Sequence, residues 1–299
     1  MKENVIISLA DSKYFDLLNE LVNSIKRFKE SQNTAICILD AGLTADQKNI
    51  LSNKVDEIKP SDWDIKVSEF KILGKKWLKS LISRAYLPKY FPNYKKYMWI
   101  DADAYVNSWK AVELYFLGCE NKKLSIATSA DRVSKRVLRA DWIFGSFAKI
   151  KSQNYKHAKS SGFSEKIARE VALKPHLNAG VFALEADAPH WDIWRNYLFQ
   201  ALKKGKVFGS DQIALNMTVY VDQLPLEILP AYCNWIFVNE MKYDSKKNTY
   251  VEPSLPNHEI GIVHFAGKNN DQIRNNKNFL SEIETLDGKI IKKKLRFID

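Results

Sequence analysis

No stretch of this 299-residue chain approaches the roughly 20 uncharged apolar residues that cross a bilayer. Residues 1–10 lack the basic start, long apolar stretch and small-residue cleavage site of an export signal. We therefore expect a protein that is cytoplasmic, either free or peripheral at the inner face of a membrane. Cysteine is scarce. Cys37, Cys119 and Cys233 are odd in number, far apart and set among apolar neighbours, so neither a disulfide framework nor a zinc site is indicated, and they read as small core residues. Repeats, low-complexity tracts and Gly/Ser linkers are missing, which argues against a string of modules. Acidic residues number 35 against 46 Lys and Arg, and the net charge of +11 favours an anionic partner: a nucleotide diphosphate, an anionic lipid or a nucleic acid.

What is present is ample apolar content, 45% of residues, in alternating strand and helix patterns. Residues 5–10 form a short apolar run, followed by a helical pattern in which Phe15, Leu18, Leu21, Val22 and Ile25 share a face. Residues 35–39 repeat the strand signal, and Thr44 opens a helix that continues to Leu51. A third extended stretch is expected at residues 65–70, then one helix rich in Trp77, Leu78, Leu81, Ile82 and Tyr86 until Pro88 and Pro92 break it. Residues 97–100 are apolar on both faces and so central in a sheet. Later elements are a helix at 109–116, a strand at 124–128, and a basic linker through Lys135, Arg136 and Arg139. A strand at 181–184, helices at 191–202 and 210–219, and a closing strand at 262–265 follow. The alternation predicts an α/β fold, a Rossmann-like mixed but mostly parallel sheet flanked by helices. Ligands gather at the carboxyl ends of such strands, where Asp11, Asp40, Asp101 and Asp103 are expected.

One domain is expected over residues 1–280, with a basic amphipathic tail at 281–299. In the tail Lys289, Lys292, Lys293, Lys294 and Arg296 alternate with Ile290, Ile291, Leu295 and Phe297. That alternation suits docking on an anionic membrane surface, and it equally suits a final helix packed on the domain.

The sharpest chemical signal is Trp99-Ile100-Asp101-Ala102-Asp103, two carboxylates one residue apart after a buried strand. Hard oxygen ligands so placed suit Mn²⁺ or Mg²⁺ holding a diphosphate. Read alone, the pair is equally a strand-end loop facing water.

Arg84, Pro92 and this Asp-x-Asp stretch resemble the donor-binding segment of glycosyltransferase family 8. That resemblance implies a GT-A fold, a UDP-sugar donor, Mn²⁺ and transfer of a hexose with retention at the anomeric carbon. It extends along most of the chain. Leu9-Ala10-Asp11 with Tyr14 is similar to the segment that cradles the uridine, the Tyr ring stacking on the base. Leu177-Asn178-Ala179-Gly180-Val181 resembles the element beside the sugar, and Asp211-Gln212 the pair facing the reacting carbon. Val263-His264-Phe265-Ala266-Gly267 resembles the late strand whose His completes the metal site. The resemblance thus implies Asp101, Asp103 and His264 as metal ligands; Leu9, Ala10, Asp11, Tyr14, Arg84, Ala102, Gly267 and Lys268 around the nucleotide sugar; and Asn178, Asp211 and Gln212 at the chemistry. Its acceptor is a glycan, glycolipid or protein, and no nucleic-acid partner is expected.

Physical chemistry points the same way, because a departing diphosphate develops charge that cations and N–H donors must meet. Bland roles compete at each position. Arg84 is also a helix residue pairing with an acid, His264 a satisfied core histidine, Ser210-Asp211 a helix cap and Asn178 a turn residue. Two departures stand out. The family usually has a Lys three residues beyond the glycine and then Pro-Trp, where this chain has Asn270, Asp271 and Gln272, and the Asp that often follows Asp-Gln is Ile213. The competing classes are a nucleotidyltransferase using the Asp pair with Mg²⁺, and a basic RNA- or membrane-binding module.

Overall fold

The computed structural model describes residues 2–129, 138–143, 145 and 147–298. Three apolar runs become β1 (Asn4–Ala10), β2 (Thr34–Asp40) and β4 (Lys96–Ile100), and between the last two lies β3 (Glu57–Pro60), a short, mostly polar strand at the sheet edge. The short β5 (Ala104–Val106) and then β6 (Leu124–Thr128) follow. After them come a hairpin of β7 (Leu138–Ile143) and β8 (Phe147–Ser152), then β9 (Leu177–Glu185) and β10 (Leu226–Leu229). Seven of these make one sheet in the order β10-β6-β9-β4-β1-β2-β3, in which only β9 runs against its neighbours. The expected mixed, mostly parallel sheet is present. β1 and β4 sit inside it, which is why both faces of each are apolar and buried.

Helix Phe15–Lys26 lays Leu18, Leu21, Val22 and Ile25 on one face of the sheet, and helix Ala45–Ser52 begins with a capping box between Thr44 and Gln47. Two expectations are corrected here. Residues 65–70 are not a strand: the third strand lies earlier at Glu57–Pro60, and Ile65 buries its side chain from a loop. The apolar signal there reported packing, not pairing. The single helix expected over residues 77–86 is a series of short turns, Lys76–Lys79, Ser80–Ser83, Arg84–Tyr86 and Leu87–Tyr90, two of them 3₁₀. Pro88 enters the last turn without an N–H to donate. Spaced three apart across these turns, Leu81, Arg84 and Leu87 are all buried.

The second half adds β11 (Lys242–Asp244), β12 (Thr249–Val251), β13 (Ile262–His264), β14 (Leu280–Thr285) and β15 (Ile290–Lys294). The closing strand β13 does not join the large sheet. It pairs antiparallel with β5, setting His264 opposite Ala104. The basic stretch at 281–299 is largely a β-hairpin in a sheet ordered β12-β11-β14-β15, not a helix. Leu295 is buried and Ile291 and Phe297 pack beside it. Its cations are matched by Asp287 for Lys289, Glu282 for Lys292, the Tyr243 ring for Lys293 and Glu20 for Arg296. Of the expected basic linker, Lys135 and Arg136 lie outside the described residues and Arg139 falls in β7. Cys37, Cys119 and Cys233 are buried free thiols. Among the described residues, no helix is long and apolar enough to cross a membrane.

Candidate active site

Because β4 ends at Ile100, Asp101 and Asp103 emerge at the carboxyl edge of the sheet, and the β5–β13 pairing delivers His264 to the same point from the far end of the sequence. The Phe265 N–H donates to the Asp103 carbonyl at 2.9 Å, which fixes that register. His264 Nε2 lies 3.4 Å from Asp103 Oδ1 and 3.9 Å from Asp101 Oδ2. Ligand atoms of all three residues fall within 4.8 Å of one another.

The space between them is kept by a glycine. A Cβ on Gly180 would stand 2.4 Å from His264 Cε1 and 2.9 Å from both Asp101 Oδ2 and Asn178 Oδ1. Asn178 accepts from the Gly180 N–H at 2.9 Å, and Asp101 donates its N–H to the Gly180 carbonyl at 2.8 Å. This stretch is irregular because Leu177 to Phe182 faces only Ile126 to Thr128 across β6. Two carboxylates and an imidazole around a gap with no Cβ form a donor set that fits Mn²⁺ or Mg²⁺.

Neighbours orient each ligand. The His264 ring pairs through Nδ1 with Asn234 Oδ1 at 2.9 Å; only an N–H there satisfies that oxygen, so Nε2 faces the carboxylates. Asp101 Oδ1 accepts from Trp99 Nε1 at 2.7 Å and from Arg84 Nη2 at 2.9 Å. Asp103 Oδ2 lies 3.5 Å from Arg274 Nη1. Burial pushes the Asp101 carboxyl above the usual carboxylate range despite Arg84 and His264. Burial acts the same way on Asp103, but the His264 hydrogen bond and charge and Arg274 hold it below its ordinary value. Burial pulls His264 down, and the hydrogen bond and charges of Asp103 and Asp101 outweigh it, so the imidazole is raised.

Arg84 is only 3% exposed. It donates to the carbonyls of Ser80 at 3.1 Å and Ala179 at 2.9 Å, and it also meets Asp101 and, at 3.1 Å, Asp211 Oδ2. It stands behind the carboxylates as their shared counter-charge rather than on the open face. Asp211 is buried as well, and burial, offset in part by Arg84, pushes its carboxyl up to about 6. Neither Ser210 nor Asp211 caps helix Ser210–Tyr220, whose cap is Gly209 at φ 87°.

Gln212 is partly exposed, and a polar chain holds it. Asn154 spends its amide hydrogens on the carbonyls of Val171 and Lys174, so its Oδ1 faces His176 Nδ1. His176 must donate there and accept at Nε2 from the Gln212 amide N–H. Burial depresses the His176 imidazole to about 3, so it is neutral. The Gln212 amide oxygen is thereby turned away from His176.

The remaining expected residues sit at the same edge in varied ways. Leu9 and Ala10 point into the core and offer only backbone. Asp11 accepts from the N–H groups of Lys13 and Tyr14 at 3.0 and 3.2 Å, a turn role. Asp40 does the same for Gly42 and Leu43 at 2.7 and 2.6 Å. Tyr14 is half-buried, and burial together with the Asp103 charge raises its phenol. Ala102 is buried, Gly267 turns at φ 83°, and Lys268 is exposed on a short 3₁₀ turn. Sequence reasoning missed Trp99 as a donor, Asn154, His176, Asn234 and Arg274, none of which lies at a telling spacing.

A family model described as Glycosyl transferase family 8 matches residues 5–270. Among solved structures the chain is similar to the galactosyltransferase LgtC in complex with donor and acceptor sugar analogues. The identity is 14% and the TM-score 0.55, over 88% of this chain and 87% of that one. It is also similar to the bifunctional glycosyltransferase WbbM, at 17% identity and TM-score 0.56, over 89% of this chain and 46% of that one. The glycosyltransferase GlyE of Streptococcus pneumoniae TIGR4 is a further likeness, at 15% identity and TM-score 0.51, over 89% and 55%. No curated protein matches at the sequence level.

Proposed function

Because the chain belongs to glycosyltransferase family 8 and has a GT-A fold, we propose that this glycosyltransferase moves a hexose from a UDP-sugar to a glycan, glycolipid or protein acceptor, with retention. Asp101, Asp103 and His264 would hold Mn²⁺ or Mg²⁺ beside the diphosphate. Such an ion neutralises charge on the leaving diphosphate as the glycosidic bond breaks. The observation that carries this reading is the convergence of those three side chains around the gap left by Gly180.

This chain's own residues divide the remaining work. Tyr14 stacks on the uracil ring beside Asp103. Arg274, held by the Phe265 carbonyl and Asp271 with Nη1 3.5 Å from the Asp103 carboxylate, supplies a cation for the diphosphate beside the metal ligands. Gln212 faces the anomeric carbon with its amide oxygen, where partial positive charge develops. Asp211, buried against Arg84, sets the field behind it and is not free to attack. Asn178 keeps one amide hydrogen pair for a sugar hydroxyl, since its oxygen is taken by Gly180.

Calorimetric titration of UDP, with and without Mn²⁺, tests the reading on the wild type and His264→Ala. Binding that needs Mn²⁺ and is lost in the variant is expected. UDP affinity indifferent to Mn²⁺ would overturn it, and a preference for nucleoside triphosphates over UDP would favour nucleotidyl transfer instead.

A further inference from the structure

We propose that the face built from residues 66–76 and 199–208 docks on an anionic membrane surface. The two segments carry seven lysines and one acidic residue, Glu69, so more than half of the chain's net charge of +11 is concentrated there. They form one surface. Lys71 Nζ donates to the carbonyls of Leu202 at 2.6 Å and Lys203 at 3.1 Å, and the Trp77 and Phe208 rings meet edge to face at 6.5 Å.

Four large apolar side chains stand out among these cations, Phe70 at 85% exposed, Phe208 at 71%, Leu73 at 69% and Phe199 at 51%. Leu73 and Gly74 both have positive φ, 49° and 69°, which makes the tip of this face a tight turn. Among the described residues no carboxylate pairs with Lys66, Lys75, Lys76, Lys204 or Lys206, whereas the cations of the β14–β15 hairpin are matched. In water the Lys203 ammonium over the Phe199 ring, at 4.5 Å, and the Trp77–Phe208 contact offset little of the repulsion among the other lysines or the exposure of Phe70 and Leu73. At an anionic interface both are relieved, the rings entering the acyl boundary while the ammonium groups meet phosphate. An aliphatic Leu73 at the tip suits acyl chains better than nucleobases, so a lipid surface is favoured over RNA.

The placement gives docking a purpose, and that purpose rests on the glycosyl-transfer reading. Phe208 is separated from helix Ser210–Tyr220 only by Gly209, and the Ser210 hydroxyl donates to the Lys206 carbonyl. The basic face and the first turn bearing Gln212 are therefore joined directly, through Gly209 and this hydrogen bond. A membrane below this face presents the headgroup of a lipid-linked glycan to the reacting end of the site.

Co-sedimentation of the full chain with vesicles tests this, using phosphatidylcholine alone and phosphatidylcholine mixed with phosphatidylglycerol. Wild type should pellet with the anionic vesicles only. Lys203→Gln/Lys204→Gln should weaken that binding roughly 25-fold, at about fivefold per cation. Phe70→Ser/Leu73→Ser should weaken it at least about tenfold, while Lys292→Gln/Lys293→Gln in the hairpin should keep the wild-type value. All variants should bind UDP with Mn²⁺ as wild type does, which shows that they fold. Equal pelleting with both vesicle types, unchanged binding by both patch variants, loss confined to the hairpin variant, or retention on polynucleotide but not on vesicles would each overturn the docking role. Vesicle binding without Mn²⁺-dependent UDP binding would leave the docking face standing and sink the glycosyl-transfer reading instead.

Discussion

Arg84 lies between Asp101 and Asp211, 2.9 Å from one carboxylate and 3.1 Å from the other, with its side chain almost wholly out of water. It therefore joins the prospective metal ligand to the acid at the start of helix Ser210–Tyr220. Removing one partner of such a buried cluster strands the others. Arg84→Met should lower unfolding free energy by about 3–5 kcal/mol in chemical denaturation. Adding Asp211→Asn to it should recover part of that loss, as expected for coupled groups. A cost below about 1 kcal/mol would show that the cluster is solvated after all.

Gly180→Ala tests the gap between the ligands. The added methyl meets His264, Asp101 and Asn178 at separations that no real Cβ shows, and Asp101 is tied to the same backbone. Mn²⁺-dependent UDP binding should fall by at least about tenfold, roughly 1.4 kcal/mol, while Mn²⁺-independent properties such as far-ultraviolet dichroism stay unchanged. Equal affinity in the two proteins would mean that the ion, if bound, sits elsewhere.

His176→Phe removes the acceptor that fixes the Gln212 amide. The amide is then free to turn its nitrogen toward the sugar, and misplacing the group costs turnover on the order of a hundredfold. Donor affinity should barely change, because the interaction belongs to the transition state. His176→Gln, whose side-chain oxygen can still accept, should restore part of the turnover. A matched rise in KM with intact kcat would instead place Gln212 in ground-state donor binding.

Arg274→Ala should weaken UDP binding in the presence of Mn²⁺ more than it weakens uridine binding, since only the diphosphate is addressed by the guanidinium. Titrations of both ligands against both proteins decide it, and equal losses for UDP and uridine would assign Arg274 a structural role.

The buried Asp211 also predicts a pH dependence of stability. Its folded value of about 6 stands above the ordinary carboxylate value of about 4. Between those two pH values the unfolded chain has released the proton and the folded chain still holds it, so the contribution is complete at low pH and is lost as pH rises through about 6. Relative to Asp211→Asn, wild type should lose on the order of 3 kcal/mol between pH 4 and pH 7 in urea denaturation. A difference that does not vary with pH would mean that Asp211 is ionised throughout.

What the sequence determined by itself is what short-range patterns encode. The apolar runs that became β1, β2, β4 and β6, the one-sided helix Phe15–Lys26 and the Thr44 capping box are written in neighbouring residues, because strand and helix periods repeat within a few positions. The Asp-x-Asp pair was legible because it ends a strand buried on both faces. Tertiary structure decided the rest. Whether His264 is a core histidine or a ligand depends on β13 pairing with β5 rather than with the large sheet, a long-range choice of register. The 3₁₀ winding that aims Arg84 inward, the hairpin in place of a tail, and the Asn154–His176–Gln212 chain all bring together groups far apart in sequence. Their partners are selected by packing and by the need of buried polar atoms for hydrogen bonds, and neither requirement leaves a periodic trace along the chain.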